Sequence, residues 1–273
     1  MPGLYTEADY ENSIIELFKK MDYDHVYGPN IERDFYSPFY EEILEESLHN
    51  INRGLSYVAL QEAINKLKNI ENGSLEQKNI VFMDYLQNGI TVNYYDKGEE
   101  KSDIVYLVDY KNVDNNSFII ANQWTFIENS EKRPDIILFL NGIPIVLMEL
   151  KSPSREETDI SDAYRQLRNY MREIPSMFVY NAICVISDQL SSRAGTITSG
   201  IVRFMEWKTV NGDTENTQHA QFDTFFEGML QKERLLDIIK NFVCFSNDGV
   251  DKFKILAGYH QYFAVKKAIE STK

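Results

Sequence analysis

Cysteine is scarce in this chain: only Cys184 and Cys244 occur among 273 residues, inside the apolar stretches NAICVIS and NFVCFS. A disulfide framework and a Cys-rich zinc site are thereby excluded, and a reducing, cytoplasmic setting is expected. Long apolar runs are also missing. The longest, Ile143 to Met148, is strand-sized, whereas a membrane helix needs about 18–20 residues. The start, MPGLYTEADYENS, is acidic and polar, so no signal peptide is visible. His25, His49, His219 and His260 lack ligand-like spacing, which argues against zinc. No G-x-x-x-x-G-K-[ST] run occurs, so the chain has no P-loop and no ATP site of that kind. Positive charge is short as well: 28 Lys+Arg face 42 Asp+Glu, a net charge of −14. The deficit sits upstream, because residues 1–130 carry 10 basic against 23 acidic side chains and residues 131–210 are balanced. An acidic surface discourages non-specific contact with nucleic acid. That counts against a free-standing DNA-binding protein and leaves open a domain whose DNA is delivered by something else.

What is present is enough apolar material for a real core: 43% hydrophobic against 26% charged residues suits one large domain or two small ones. Thr6 and Asp9 form a capping-box-like start, and Tyr10, Ile14, Leu17, Phe18 and Met21 recur at helical spacing. On that helix Glu7 and Glu11 fall on or beside the apolar face and Glu16 points away, with Gly28-Pro29-Asn30 closing the segment. Further helices are predicted over 37–50 and 56–70. Strand-like runs follow: ITVNYY, DIVYLVDY, SFIIANQWTFI, then IILFL and IPIVLMEL joined by Asn141-Gly142, a strong hairpin signal. A helix over 161–173 precedes the run MFVYNAICVIS, read as one buried strand. The strand-like IVRFMEW and helices over about 223–242 and 259–270 finish a mixed α/β order with a mostly β centre.

Chemistry concentrates in Pro134-Asp135, Glu149-Leu150-Lys151, Gln166 and Tyr170. Glu149 and Lys151 lie two apart at the end of a strand and so share a face. Pairing across the hairpin brings the start of IILFL, with Asp135, beside them. Two carboxylates and an amine then share one small site, and such hard oxygen ligands suit Mg²⁺. Acid-x-Lys alone is weak evidence, since it also occurs at Glu76/Lys78, Glu99/Lys101, Asp109/Lys111 and Glu206/Lys208. Only Glu149/Lys151 has an acid supplied across a hairpin; the competing reading is a structural ion pair capping a strand end.

The run RPDIILFLNGIPIVLMELKSP, followed by DAYRQLRNY, closely resembles the nuclease domain of the R subunit of type I restriction–modification enzymes, within the PD-(D/E)xK superfamily. The resemblance covers most of the chain, including YHQYFAVKKAIE near its C-terminus. It implies a restriction-endonuclease-like fold, a mixed central sheet flanked by helices. It further implies an endonuclease domain over 1–245 and a helical segment over 246–273 leading toward an ATP-driven motor. By the same resemblance Asp135 and Glu149 are metal ligands, Lys151 is the catalytic lysine, and Gln166 and Tyr170 assist DNA contact and cleavage. On pattern alone, a helix face packed on the sheet would be the better reading of that pair. Related cores bring a further acid from the first helix, about eleven residues before a Gly-aromatic pair. Glu11 stands at that distance from Asp22-Tyr23, with aspartate in the glycine's place, as a metal ligand or an ordinary boundary glutamate.

The implied activity is that of a type I site-specific deoxyribonuclease: Mg²⁺-dependent hydrolysis of DNA phosphodiester bonds by a metal-activated water. The implied partners are double-stranded DNA and the methylation and specificity subunits, with no membrane. Two alternatives stay open: a stand-alone repair or junction nuclease, and a catalytically idle nuclease fold used as an assembly module. Arg165, Arg168 and Arg172 fit either a phosphate path or a solvated helix face, and Trp124 and Trp207 are assigned to the core.

Overall fold

Thr6 opens the first helix as its spacing predicts. Its side chain accepts from the Asp9 N–H, and the Asp9 carboxylate accepts from the Thr6 N–H at 2.8 Å. In this computed structural model, residues 6–151, 160–188, 190–213, 222–247 and 252–272 are described. Helix α1 (Glu7–Lys20) buries Tyr10, Ile14, Leu17 and Phe18 and leaves Glu16 in solvent. The chain then runs through β1 (Asp24–Tyr27), α2 (Glu41–Ile51), α3 (Tyr57–Lys68) and α4 (Leu75–Asn88) to the hairpin β2 (Ile90–Asp96) and β3 (Glu99–Val105). Next come β4 (Phe118–Asn122), the short pair β5 (Phe126–Ile127) and β6 (Glu131–Lys132), β7 (Ile136–Leu140) and β8 (Ile143–Leu150). Helices α5 (Ile160–Glu173) and α6 (Pro175–Val179) lead to β9 (Ile183–Ser187), β10 (Ser192–Gly195) and β11 (Met205–Glu206). The remaining elements are α7 (Phe222–Met229), α8 (Lys232–Asn241), the hairpin β12 (Val243–Asn247) and β13 (Lys252–Leu256), and α9 (Tyr259–Thr272).

Seven strands form one mixed sheet in the order β1-β4-β7-β8-β9-β10-β11, flanked by helices, consistent with the expected restriction-endonuclease-like core. The β1/β4 and β8/β9 pairs are parallel and the others antiparallel. Strands β7 and β8 are buried on both faces because each face carries a helical layer. On one side lie α1 and the other N-terminal helices, with Tyr10, Ile14 and Phe18 against Ile136, Leu138, Met148 and Leu150. On the other lies α5, with Ala163, Leu167, Tyr170 and Met171 against Ile137, Phe139 and Leu147. The β7–β8 turn is the predicted one: Asn141 (φ 52°) and Gly142 (φ 77°) are both left-handed, as a two-residue hairpin of this kind requires. Gly142 is needed twice over, since a Cβ there would sit 2.5 Å from Tyr40 O and Leu44 N at the start of α2.

Several expectations are corrected. The strand β1 intervenes between α1 and Gly28, its short polar run DHVY giving little apolar signal. Helix α4 was not anticipated, although Ser74 and Gln77 cap it reciprocally. The run 103–110 is strand only to Val105. Within 177–187 only Ile183–Ser187 is strand, because Pro175 starts a helical turn at its first position. Positions 201–207 hold a 3₁₀ turn and the two-residue β11. The helix expected over 223–242 is split, and the Gln231 side chain caps α8. No helix among the described residues is long and apolar enough to cross a membrane.

Candidate active site

The site forms where the sheet ends, and strand pairing alone assembles it. Ile136 pairs with Met148, so Asp135 lies one step further along, opposite Glu149. The Leu150 N–H donates to Asp135 Oδ2 at 2.7 Å, locking the carboxylate to the neighbouring strand. Lys151 is tied to β9 through its N–H on Ser187 O, 2.8 Å. Its ammonium donates to Glu149 Oε1 at 2.6 Å and to Leu150 O at 2.9 Å. Alternation along β8 puts Leu147, Glu149 and Lys151 on the α5 face, and Ile137 and Phe139 put Asp135 there too. The structure therefore brings Asp135, Glu149 and Lys151 together as the sequence predicts.

Tyr170 projects from α5 onto this group. Its hydroxyl donates to Arg133 O at 3.3 Å and also interacts with Glu149 and with the Gln166 side chain one turn earlier. Burial, then the Glu149 charge, push the Tyr170 phenol well above its usual range. The motif pair thus faces the carboxylates as well as packing on the sheet, Tyr170 being buried and Gln166 half-buried.

The electrostatics are those of a crowded acid pair. Burial is the main reason that both Asp135 and Glu149 sit above the ordinary carboxylate range, and their mutual repulsion raises Asp135 further. Lys151 and, for Asp135, the Leu150 N–H oppose that rise. Burial pulls Lys151 down, yet the Glu149 and Asp135 carboxylates outweigh it and hold the ammonium above its usual range. Glu149 is only 2% exposed, and its Oε2 has no hydrogen-bond partner. A buried, unpartnered carboxylate oxygen is costly unless something is meant to occupy it. Two hard oxygen donors and that orphaned atom fit a divalent cation, whose binding would relieve the acid–acid repulsion.

Glu11 is not brought to this group. Its Oε1 accepts from Asn122 Nδ2 at 2.6 Å, and Asn122 shares the α1 face of β4 with Phe118 and Ile120, across the sheet from Asp135 and Glu149. Burial first, then the Glu7 charge, raise the Glu11 carboxyl, while Asn122 and Gln123 lower it. Among the described residues no three His, Cys, Asp or Glu side chains gather as a metal cluster. From α1, the exposed Glu7 adds only the smallest of the charge effects felt by Asp135, Glu149 and Lys151. The helical wheel marks Glu7 and Glu11 equally, so only the tilt of α1 separates them. Asn122, Gln123 and His25, whose Nε2 lies 2.9 Å from Asn122 Oδ1, carry no motif that sequence reasoning could have used. The arginines of α5 are engaged locally: Arg165 with Asp162, Arg172 with Glu173 and Asn169, Arg168 with Ile197 O. Trp124 and Trp207 are core residues.

Comparison with known proteins agrees with this geometry. Residues 4–201 match the family described as the type I restriction enzyme R protein N terminus. The chain is 32% identical to the type I restriction enzyme HindI endonuclease subunit of Haemophilus influenzae, over 98% of this chain and 27% of that protein. It is 30% and 33% identical to two Methanocaldococcus jannaschii proteins named putative type I restriction enzyme endonuclease subunits, MjaIXP and MjaVIIIP. These alignments cover 96% and 99% of this chain and 27% and 25% of those proteins. The chain therefore spans about a quarter of the length of these curated relatives. It belongs to the family of the type I restriction enzyme R protein N terminus.

Proposed function

We propose that this chain is the DNA-cleaving part of a type I restriction enzyme R subunit, a Mg²⁺-dependent endonuclease hydrolysing phosphodiester bonds at Asp135, Glu149 and Lys151. The observation that carries the reading is the convergence of the buried Glu149, the half-buried Asp135 and an ammonium at one strand end, with Glu149 Oε2 unpartnered. Asp135 and Glu149 would hold the cation. When bound, it supplies Lewis-acid polarisation of the phosphate and eases deprotonation of the attacking water.

The chain's own residues do the rest. Lys151, held as an ammonium by its carboxylate neighbours, stabilises the negative charge that builds on the phosphorus oxygens. Its contact with Glu149 fixes it at the place where that charge develops. Tyr170, supported by Gln166, restrains Glu149 and the Arg133 backbone, so the carboxylate keeps its aim. Among the described residues no base-reading element stands at the site, which supports assigning sequence and methylation discrimination to partner subunits and ATP use to a motor outside this chain.

The test is cleavage by the assembled enzyme carrying Asp135→Ala, Glu149→Ala or Lys151→Ala. Each variant is expected to lose double-strand cleavage by at least about a hundredfold while ATP hydrolysis persists. Retained cleavage in any of the three contradicts the mechanism.

A further inference from the structure

Arg133 stands two residues before Asp135, its guanidinium about half exposed. Pro134 between them disfavours helical backbone at Arg133 and keeps the approach to the site extended. The Arg133 carbonyl accepts the Tyr170 hydroxyl at 3.3 Å, and that hydroxyl also interacts with Glu149. The Arg133 backbone is therefore one tyrosine hydroxyl away from the candidate catalytic carboxylate. Its guanidinium donates through Nη1 to Gln123 Oε1 at 3.2 Å, a neutral acceptor. Among the described residues its one acid contact, Glu131, is long at 3.6 Å and exposed on both sides. The α5 arginines differ, since Arg165 and Arg172 are paired with acids and Arg168 is bonded to backbone.

Gln123 is an unusual support. Its backbone is left-handed at φ 54°, rare for a non-glycine residue. It is pinned by Gly28, where a Cβ would come within 2.5 Å of Gln123 O. Strained positions of this sort persist where the surroundings over-determine them, commonly beside functional groups. Here the result is a half-exposed arginine oriented by an amide, with only the long, exposed Glu131 contact as its acid partner among the described residues, on the chain leading into an acidic site. A phosphate chain approaching Asp135 and Glu149 would meet strong repulsion, and a cation at this rim offsets it.

We propose that Arg133 contacts a backbone phosphate of the DNA strand bound at this site, aimed by Gln123 and anchored by Tyr170. The proposal rests on the nuclease reading above. Arg133 is a substrate-positioning residue and takes no part in bond making.

The experiment is a fluorescence-anisotropy titration of a labelled duplex with this chain, in Ca²⁺, from about 20 to 200 mM salt. Arg133→Ala is expected to weaken binding about fivefold at low salt and to lower the slope of log K against log [salt] by about one. Arg133→Lys keeps the charge and hence the slope, but loses the planar fork and part of the affinity. Gln123→Ala keeps the slope and weakens binding about twofold. Mn²⁺ titration and circular dichroism should match the wild type in all three. Wild-type affinity and slope in Arg133→Ala overturn the proposal. So does a loss accompanied by lost metal binding or folding, or a wild-type chain that binds no duplex at low salt. The nuclease reading is judged separately by cleavage in the Lys151→Ala enzyme, which can fail while the Arg133 effect stands, or hold while it vanishes.

Discussion

Lys254 offers a stability prediction whose sign and size follow from its surroundings. It lies on β13, only 3% exposed, with its Nζ donating to Asn181 O at 2.6 Å and lying 6.0 Å from the Phe245 ring. No carboxylate pairs with it among the described residues, and burial pulls its pKa down to about 7. In the unfolded chain the same amine titrates near 10.4. Between those values the unfolded state holds a proton that the folded state lacks, so stability rises with pH. Below about 7 both states are protonated and the contribution is flat. For a folded pKa of about 7, the gain from about pH 7 to about pH 8.5 is about 1.6 kcal/mol. The neighbouring Cys184 thiol, pushed up to about 12 by burial, acts in the opposite direction only above its unfolded pKa, so the window below pH 8.5 reports the lysine. Lys254→Met keeps the packing volume and removes the charge. Asn181 O remains satisfied by Asn79 Nδ2 at 2.8 Å. The variant should be more stable than wild type at pH 7 and should lose that rise. Urea unfolding of both proteins at three pH values between 7 and 8.5 measures it. Parallel curves, or a methionine variant destabilised throughout, would refute the reasoning.

Gly142→Ala should cost about 2 kcal/mol or more in urea unfolding, because it combines a left-handed backbone with a Cβ forced against Tyr40 O and Leu44 N. Tyr170→Phe removes only the hydroxyl that donates to Arg133 O beside Glu149. Cleavage by the assembled enzyme should fall about tenfold with the melting temperature little changed; normal cleavage with lost stability would make Tyr170 a packing residue alone.

The centre of the fold was readable because its signals are local and reinforce one another. Asn141-Gly142 dictates a tight turn, a tight turn dictates antiparallel register, and register delivers Asp135 to Glu149 without further assumption. Gln166 and Tyr170 were found by resemblance, and pattern alone favoured packing for them; Tyr170 is indeed buried on the sheet, and it also lies beside Glu149. Glu11 shows where one-dimensional reasoning runs out. Helical spacing places Glu7 and Glu11 on a common side, but which of them overhangs the sheet end depends on the placement of α1. Here α1 is held by Tyr10 against Ser187 at 2.6 Å and by Glu11 itself on Asn122. The stretch 175–187 misled for a different reason: it is apolar throughout, and apolarity does not separate a buried helical turn from a buried strand. Arg133 and Gln123 were invisible because a left-handed glutamine at a strand end leaves no pattern in the sequence.

On the proposed function, Asp135 and Glu149 hold a divalent cation and Glu11 takes no part in binding it. Calorimetric titration of the chain with Mn²⁺ tests this directly, comparing wild type with Glu149→Gln, Asp135→Asn and Glu11→Gln. One saturable site is predicted in the wild type, weakened at least about tenfold by either of the first two substitutions. Glu11→Gln should stay within about twofold of wild type, since its oxygen already serves Asn122. Unchanged binding in Glu149→Gln, or loss of binding in Glu11→Gln with the fold intact, would contradict the account.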